Sequence, residues 1–381
     1  MNILMVSGID LSEKNKAGNV NAFRSLVAGM KREGFNLTLL NVNRTKVSKD
    51  NFSGKVIYFP LLLNLFELKL RKFLKIEKNL VNARGSLFLK FFVYILERFF
   101  KYDYIVVEYL EFHSSIDLID KNKRICDLHD LMHLRTESYF SQGKYLSKIS
   151  QISRSEELEL INKFSKVLVI QEVEHDFLKK QKLTSEAILV KRHSIDADNQ
   201  SIVNKRFCRD EIVLGFIGNT SDFNIDGINY FIENYYPLLR KEWPALRLFI
   251  AGRVCEKIRI ELLTENEGIV LLGLVGDLKD FYEKIDIVIN PIRVGFGLKT
   301  KNVEALAFGL PVITTKCGIE GLEAFERKVI FEYRDPVTAI NAVKAVINLF
   351  DKKIDIKLIY EREFGLNKTY LKLVESLKFG K

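Results

Sequence analysis

The chain has 381 residues, 47% of them apolar, and a formal net charge of +10; this excludes a disordered polar chain and predicts two domains of ordinary size rather than one core. Its four cysteines are scattered at 126, 208, 255 and 317, without the paired spacing of a zinc site or a disulfide framework. No segment reaches the roughly 20 uninterrupted apolar residues that cross a bilayer, and "MNILMVSGIDLSEKN" lacks the pattern of a secretory leader, so a cytoplasmic protein is expected.

Along the first half, strands and helices alternate. "NILMVS" is a short apolar run, "NAFRSLVAGMKREG" has helical spacing and closes on Gly34, and "NLTLLNV" is again strand-like. The loop between the first strand and the first helix contains "AGN", with Gly18 at its centre; the dinucleotide pattern GxGxxG is absent there, which argues against a dehydrogenase. Further strands are predicted at "KVIYF", "DYIVVEY", "RICDL" and "KVLVI". The order is that of βαβ units with a parallel sheet.

The positive charge is concentrated. Between Leu61 and Lys101 there are nine Lys or Arg against three Glu. In "LLLNLFELKLRKFLKIEKNL" the residues Leu62, Leu65, Phe66, Phe73, Ile76 and Leu80 share one helical face, and "SLFLKFFVYILERFF" continues with many aromatics. Such a helix can lie among lipid headgroups, attracted by anionic lipid at about 1 kcal/mol per basic residue. The other reading has these helices packed on the sheet with only their charges in solvent. Nucleic acid is not an expected partner, because the charges are interleaved with an apolar face rather than spread along a polar groove.

"HSIDADNQSIVNKRFCRD" has no periodicity and is read as a linker. The "DAD" at Asp196–Asp198 spells the DxD of metal-dependent transferases but falls in this linker, so no metal site is expected there. From Glu211 a second series follows: "IVLGFIG", the helical "DGINYFIENYYPLLRKEW", "LRLFIAG", a polar helix, "GIVLLG", "DLKDFYEKI", "DIVINP", "PVITT" and "KVIFEY" before terminal helices. It is a second sheet of the nucleotide-binding kind. Ligands of open α/β sheets bind at the carboxyl ends of the strands.

One such strand end carries "GFGLKTKNVEALAFGLPVITT". Thr300 is placed to cap a helix whose buried face holds Val303, Leu306, Ala307 and Leu310. A helix start offers free N–H groups to a phosphate, Gly295 and Gly297 allow close approach, and Lys299 and Lys301 add charge. Glu304 is expected in the first turn; its carboxylate only accepts and suits the paired hydroxyls of a ribose. Equally, the glycines form an ordinary turn, the lysines are solvated and Glu304 only favours the helix dipole.

The run "GFIGNTSDFNIDGINYFIENYYPLLRKEWPALRLFIAGR", followed by "GIVLLGLVGDLKDFYEKIDIVINPIRVGFGLKTKNVEALAFGLPVITTKCGIEGL", resembles the donor domain of GT-B glycosyltransferases, in particular the retaining family 4. The resemblance covers about Glu211 to Leu322, and the N-terminal half is similar to the acceptor domain more loosely. It implies an α/β fold of two Rossmann-like, doubly wound parallel-sheet domains facing a central cleft. The expected boundaries are 1–200 for the acceptor domain and 201–360 for the donor domain, with 361–381 a helix able to cross back.

The implied activity is retaining transfer of a sugar from a nucleotide-diphosphate sugar to a glycan or lipid-linked acceptor in cell-surface polysaccharide or lipopolysaccharide assembly, with no metal and no other cofactor. By resemblance Glu304 binds the ribose. The loop Gly295, Phe296, Gly297, Leu298, Lys299, Thr300 and Lys301 borders diphosphate and sugar, with Gly18, Gly218 and Arg253 also on the donor.

Departures from the family pattern stand out. Phe296 occupies the place of a second glutamate that contacts the donor sugar in many members, and "GNTSDFNIDG" lacks the usual basic pair. Lys299, Lys301 and Arg253 are the expected substitutes, since stabilising the departing diphosphate is the main catalytic demand. In "RICDLHDLMHLR", His129 and Asp130 resemble the His-Asp placed beside the donor sugar, with His133 and Arg135 weaker candidates. In "VIQEVEHDFL", Glu172 and Glu174 stand either near an acceptor or at an exposed helix start. The rival readings are a GT-B epimerase or hydrolase that needs no acceptor, and a non-enzymatic basic module for anionic lipid or nucleic acid. The expected location is the inner face of the cytoplasmic membrane, held peripherally through 61–101.

Overall fold

The computed structural model describes residues 1–12, 18–60, 62–63, 66, 69, 86–140, 152–190, 211–294, 297–365 and 370–379. Two compact units result: Met1–Arg192 together with Leu366–Lys381, and His193–Gly365. The predicted linker, the "DAD" within it and most of the basic stretch lie outside the described residues.

The first unit is built on a seven-stranded sheet of β1 (Asn2–Ser7), β2 (Asn36–Asn41), β3 (Lys55–Tyr58), β4 (Tyr104–Glu108), β5 (Arg124–Asp127), β6 (Lys166–Val169) and β7 (Glu186–Leu189). Its order is β3-β2-β1-β4-β5-β6-β7, and every pairing is parallel. Strands covered on both faces read as continuous apolar runs, as β1 shows with Ile3, Leu4, Met5 and Val6 all buried.

Alternate residues of β1 serve opposite layers. Ile3 and Met5 meet Phe23, Leu26 and Met30 of the helix Gly18–Arg32, together with Leu373, Val374 and Leu377 of the terminal helix Leu371–Lys378. Tyr370 fixes that terminal helix: its hydroxyl is 2.6 Å from Ser25 Oγ, and a Cβ on Gly29 would come within 2.3 Å of its ring. Leu4 and Val6 face Leu89, Val93 and Leu96 of the helix Leu87–Phe100.

The second unit holds a six-stranded parallel sheet of β8 (Val213–Ile217), β9 (Arg247–Ala251), β10 (Ile269–Gly273), β11 (Ile287–Asn290), β12 (Val312–Thr314) and β13 (Ile330–Glu332), in the order β10-β9-β8-β11-β12-β13. One face is covered by the helix Asp222–Asn234, through Ile228, Phe231 and Ile232, and by Pro336–Asp351, through Ala339, Val343 and Val346. In each sheet the strand order turns back once, between β1 and β4 and between β8 and β11. This is the doubly wound arrangement of the resemblance.

Two elements differ from the sequence expectation. The single helix expected over "DGINYFIENYYPLLRKEW" starts earlier, at Asp222, and is broken into Asp222–Asn234 and Tyr236–Glu242. Pro237 lies in the first turn of the second piece, where its missing N–H is harmless but would not be in a continuous helix. Strand β7 was not anticipated: "EAIL" is short, and as an edge strand it has only partial burial.

Candidate functional site

The residues Pro291–Lys299 link β11 to the helix Thr300–Ala307, at the place where the second sheet reverses its order. Gly297 has φ 94°, a left-handed value that glycine adopts without strain. Gly295 and Phe296 lie outside the described residues. Val303, Leu306 and Ala307 form the expected buried face. Two local expectations are corrected. Lys299, not Thr300, is the N-cap residue, and Thr300 is already helical; no side chain caps the helix. Glu304 therefore falls beyond the first turn, which contains no acidic residue.

Both lysines of this loop are engaged rather than solvated. Lys299 Nζ donates to the Gly297 carbonyl at 2.8 Å and lies 3.4 Å from Glu320 Oε2. Leu298 beside it is buried. Lys301 Nζ donates to Asn224 Oδ1 and sits 4.8 Å over the Phe216 ring. Burial brings the Lys301 pKa down to about 8, against the pull of the nearby Glu304 charge. An anion at the helix start would restore the charged form. Glu304 is 7% exposed, and one of its oxygens accepts from the Tyr282 hydroxyl at 3.4 Å. Burial first, and then the Glu304 charge, hold the Tyr282 phenol well above its ordinary pKa. Tyr282 is itself stacked on Phe308 at 4.3 Å, so the carboxylate rests on a rigid aromatic pair.

Beneath the loop runs an amide relay that sequence reasoning missed. Asn290, at the end of β11, donates through Nδ2 to Asn302 Oδ1 at 2.8 Å, and Asn302 Nδ2 donates to the Gly318 carbonyl at 2.7 Å. Thr314 Oγ1 donates to the Asn290 carbonyl at 2.8 Å. All three side chains are fully buried. The first turn of the helix is thereby tied to the ends of β11 and β12. A polar residue at a strand end followed twelve positions later by another is a faint signal without the fold.

Gly218, after β8, and Gly252, after β9, approach each other closely. A Cβ on Gly252, whose φ is 88°, would lie 2.2 Å from the Gly218 carbonyl oxygen. Arg253 follows with an exposed side chain and opens the short turn Arg253–Lys257.

In the first unit, Gly18 is the first residue of its helix. His129 follows β5 at φ 60°, in a three-residue turn closed by the Asp130 N–H on the Leu128 carbonyl at 2.7 Å. Its Nε2 is 2.7 Å from Glu108 Oε2 and 3.6 Å from Asp127 Oδ2. Its ring stacks on Tyr109 at 4.3 Å and 18°. Glu108, Asp127 and His129 each offer a ligand atom, all within 4.8 Å of one another, and so could also hold a metal ion. Asp130 pairs with Arg135 at 3.1 Å; burial raises its pKa while the guanidinium opposes the rise.

Glu172 is exposed at the start of the helix Glu172–Lys179. The exposed helix start expected for Glu174 is corrected, because Glu174 is fully buried and accepts from the Leu131 N–H at 3.1 Å. Burial, with Asp130 adding repulsion, pushes its pKa up to about 8. Glu157, also fully buried, accepts from the Met132 and His133 N–H groups at 2.8 Å each and is 2.6 Å from His133 Nδ1. Two glutamates from separate helices thus hold the free amides that open the helix Met132–Phe140. His133 is part of that clamp.

Residues 211–349 match the family model described as Glycosyl transferases group 1. The match covers most of the second unit and a little over a third of the chain. The whole chain adopts the GT-B fold of solved glycosyltransferases: a structure of Anabaena HepE in complex with UDP and glucose superposes with a TM-score of 0.62 at 14% identity, covering 99% of each chain. Among curated proteins, an uncharacterized 44.6 kDa protein in the cps region of Klebsiella pneumoniae is 32% identical over 114 residues, 28% of this chain and 29% of that protein. The Staphylococcus aureus capsular polysaccharide biosynthesis glycosyltransferase CapM is 25% identical over 198 residues, 46% of this chain and 51% of that protein. The chain thus spans about a third to a half of the length of these curated relatives. Among the described residues, no helix is long and apolar enough to cross a membrane.

Proposed function

We propose that this chain is a retaining glycosyltransferase that moves a sugar from a nucleotide-diphosphate sugar to a glycan or lipid-linked acceptor of a bacterial surface polysaccharide. The observation that carries the proposal is the start of the helix Thr300–Ala307: an N-cap residue that makes no side-chain cap bond, a left-handed Gly297, two lysines close by, and a buried carboxylate about one turn further along. Diphosphate charge suits the helix start and its lysines, and the paired hydroxyls of a ribose suit Glu304. The cps-region relative and CapM support the polysaccharide class of product, and a fold shared with a UDP-bound structure supports a nucleotide donor. Lys299, Lys301 and the helix start neutralise the leaving diphosphate in this reading, so no metal is needed for that step. The first unit receives the acceptor, with His129 toward the sugar.

The acceptor side also favours a membrane surface. The helix Leu87–Phe100 buries Leu89, Val93 and Leu96 yet leaves Leu87, Phe91, Ile95 and Phe99 exposed, a second apolar row at helical spacing. Arg98 and Lys101 lie at its carboxyl end. Peripheral binding to the cytoplasmic face of a membrane with anionic lipid would bring the enzyme to a lipid-linked acceptor.

The proposal is tested by incubating the chain with labelled UDP-, GDP-, ADP- and CMP-sugars and a lipid extract from an encapsulated bacterium. Label should enter the lipid or glycan fraction with one nucleotide series and retain the anomeric configuration of the donor. Release of free sugar at the same rate without any acceptor would point to a hydrolase instead.

A further inference from the structure

We propose that Glu108 is a positioning residue that fixes which nitrogen of His129 faces the ligand, so that His129 presents Nδ1 as an acceptor for a sugar or acceptor hydroxyl. The ligand half of this inference rests on the transferase reading above; the positioning half stands on geometry alone. Strands β4 and β5 run parallel and pair Glu108 with Asp127, so two carboxylates lie side by side at their carboxyl ends. Both are fully buried. The turn at His129 folds its ring back onto this pair, with Nε2 at 2.7 Å from Glu108 Oε2.

A carboxylate in its ionised form only accepts hydrogen bonds, so a ring nitrogen 2.7 Å from Glu108 Oε2 is placed to carry the hydrogen toward it, whether the ring is neutral or charged. That nitrogen is Nε2. Nδ1 has no hydrogen-bond partner among the described residues. In a neutral ring it is a pure acceptor, suited to a hydroxyl and unsuited to a phosphate oxygen.

Backbone strain points the same way. His129 at φ 60° and Tyr109 at φ 69° are both non-glycine residues in the left-handed region, and their rings stack on each other. Such conformations persist where the surroundings over-determine them. Here they lock both the tilt and the face of the imidazole. Glu108 Oε1 is buried without a partner among the described residues, so Glu108 is held at this position by the histidine and by packing.

A metal ion bound by the same three residues would demand the opposite arrangement, because it takes the lone pair of Nε2 and leaves the hydrogen on Nδ1. Long-range proton–nitrogen spectra of the full-length 15N-labelled chain separate these states, with His129 assigned by its loss in His129→Gln. The expected spectrum shows a protonated Nε2 and a bare Nδ1, unchanged by ZnCl2 or MnCl2, and a mixture of tautomers in Glu108→Gln, whose amide can donate as well as accept. A protonated Nδ1 in the wild type, displacement of the Nε2 hydrogen by either metal, or an unaltered tautomer in Glu108→Gln would overturn the proposal.

With a turned-over donor in hand, Glu108→Gln should lower turnover roughly tenfold or more while donor KM stays within about twofold, as expected when an imidazole loses its fixed tautomer. Equal turnover in wild type and variant would contradict the role in presenting Nδ1. Absence of turnover in the wild type with every nucleotide sugar would count against the transferase reading alone, since the nitrogen spectra decide the positioning claim without it.

Discussion

Glu174 shows how a single residue can change character between sequence and structure. It lies in a charged stretch, "EVEHD", yet is fully buried and bonded to the Leu131 amide. With the folded pKa near 8 and an ordinary value of 4.5, the folded state holds the extra proton between those limits. Stability is therefore expected to fall as pH rises through that window and to level off above it. Glu174→Gln keeps the acceptor oxygen and removes the ionisation. At pH 9 thermal denaturation should find the variant more stable than the wild type by at least about 1 kcal/mol, or roughly 2–4 °C in Tm, with the gap closing toward pH 5. An equal gap at both pH values would show that Glu174 does not titrate in this way. His129 makes a related point: its position at a strand end was legible, but Glu108, which orients it, lies 21 residues away and reaches it only through strand pairing.

At the level of elements, the strands were the most readable part. Parallel strands covered on both faces leave unbroken apolar runs, and twelve of the elements named from sequence, from "NILMVS" to "KVIFEY", coincide with strands of the two sheets. The exposed edge strand β7 left no such run. Less legible was the support beneath the Thr300–Ala307 helix, because Asn290, Asn302 and Thr314 read as ordinary polar residues until β11 and β12 are paired. Asn302→Ala would leave the Asn290 amide and the Gly318 carbonyl without a partner, each unsatisfied buried group costing about 1–3 kcal/mol. Chemical denaturation should register a loss of roughly 2–4 kcal/mol, whereas a change below about 0.5 kcal/mol, usual for surface substitutions, would mean that the relay does not stabilise this end of the sheet. The misplaced start of the helix has a simple cause. A threonine beside a glycine-rich loop is a good cap by residue type, but the turn closes one residue earlier, at Lys299.

For the whole molecule, two Rossmann-like units were predicted from the alternation of strands and helices, and the strand orders of both sheets agree with that prediction. The proposed function rests mainly on the segment "GFGLKTKNVEALAFGLPVITT" and its resemblance to known transferases, less on composition. The exposed apolar row on Leu87–Phe100 carries the proposal of a membrane surface. Replacing Phe91, Ile95 and Phe99 by serine should lower sedimentation with anionic vesicles by tenfold or more, since burying each side chain contributes about 1.5–3 kcal/mol; undiminished binding would remove the membrane from the account. Donor capture at the second unit is the central claim, and titration calorimetry of UDP-, GDP-, ADP- and CMP-sugars into the wild type and Glu304→Ala tests it most directly. One nucleotide series should bind the wild type, with affinity at least roughly tenfold lower in the variant, as expected when charge-assisted hydrogen bonds worth about 1.5–3 kcal/mol are lost. Equal affinity in the two proteins, or no heat from any of the four series, would contradict it.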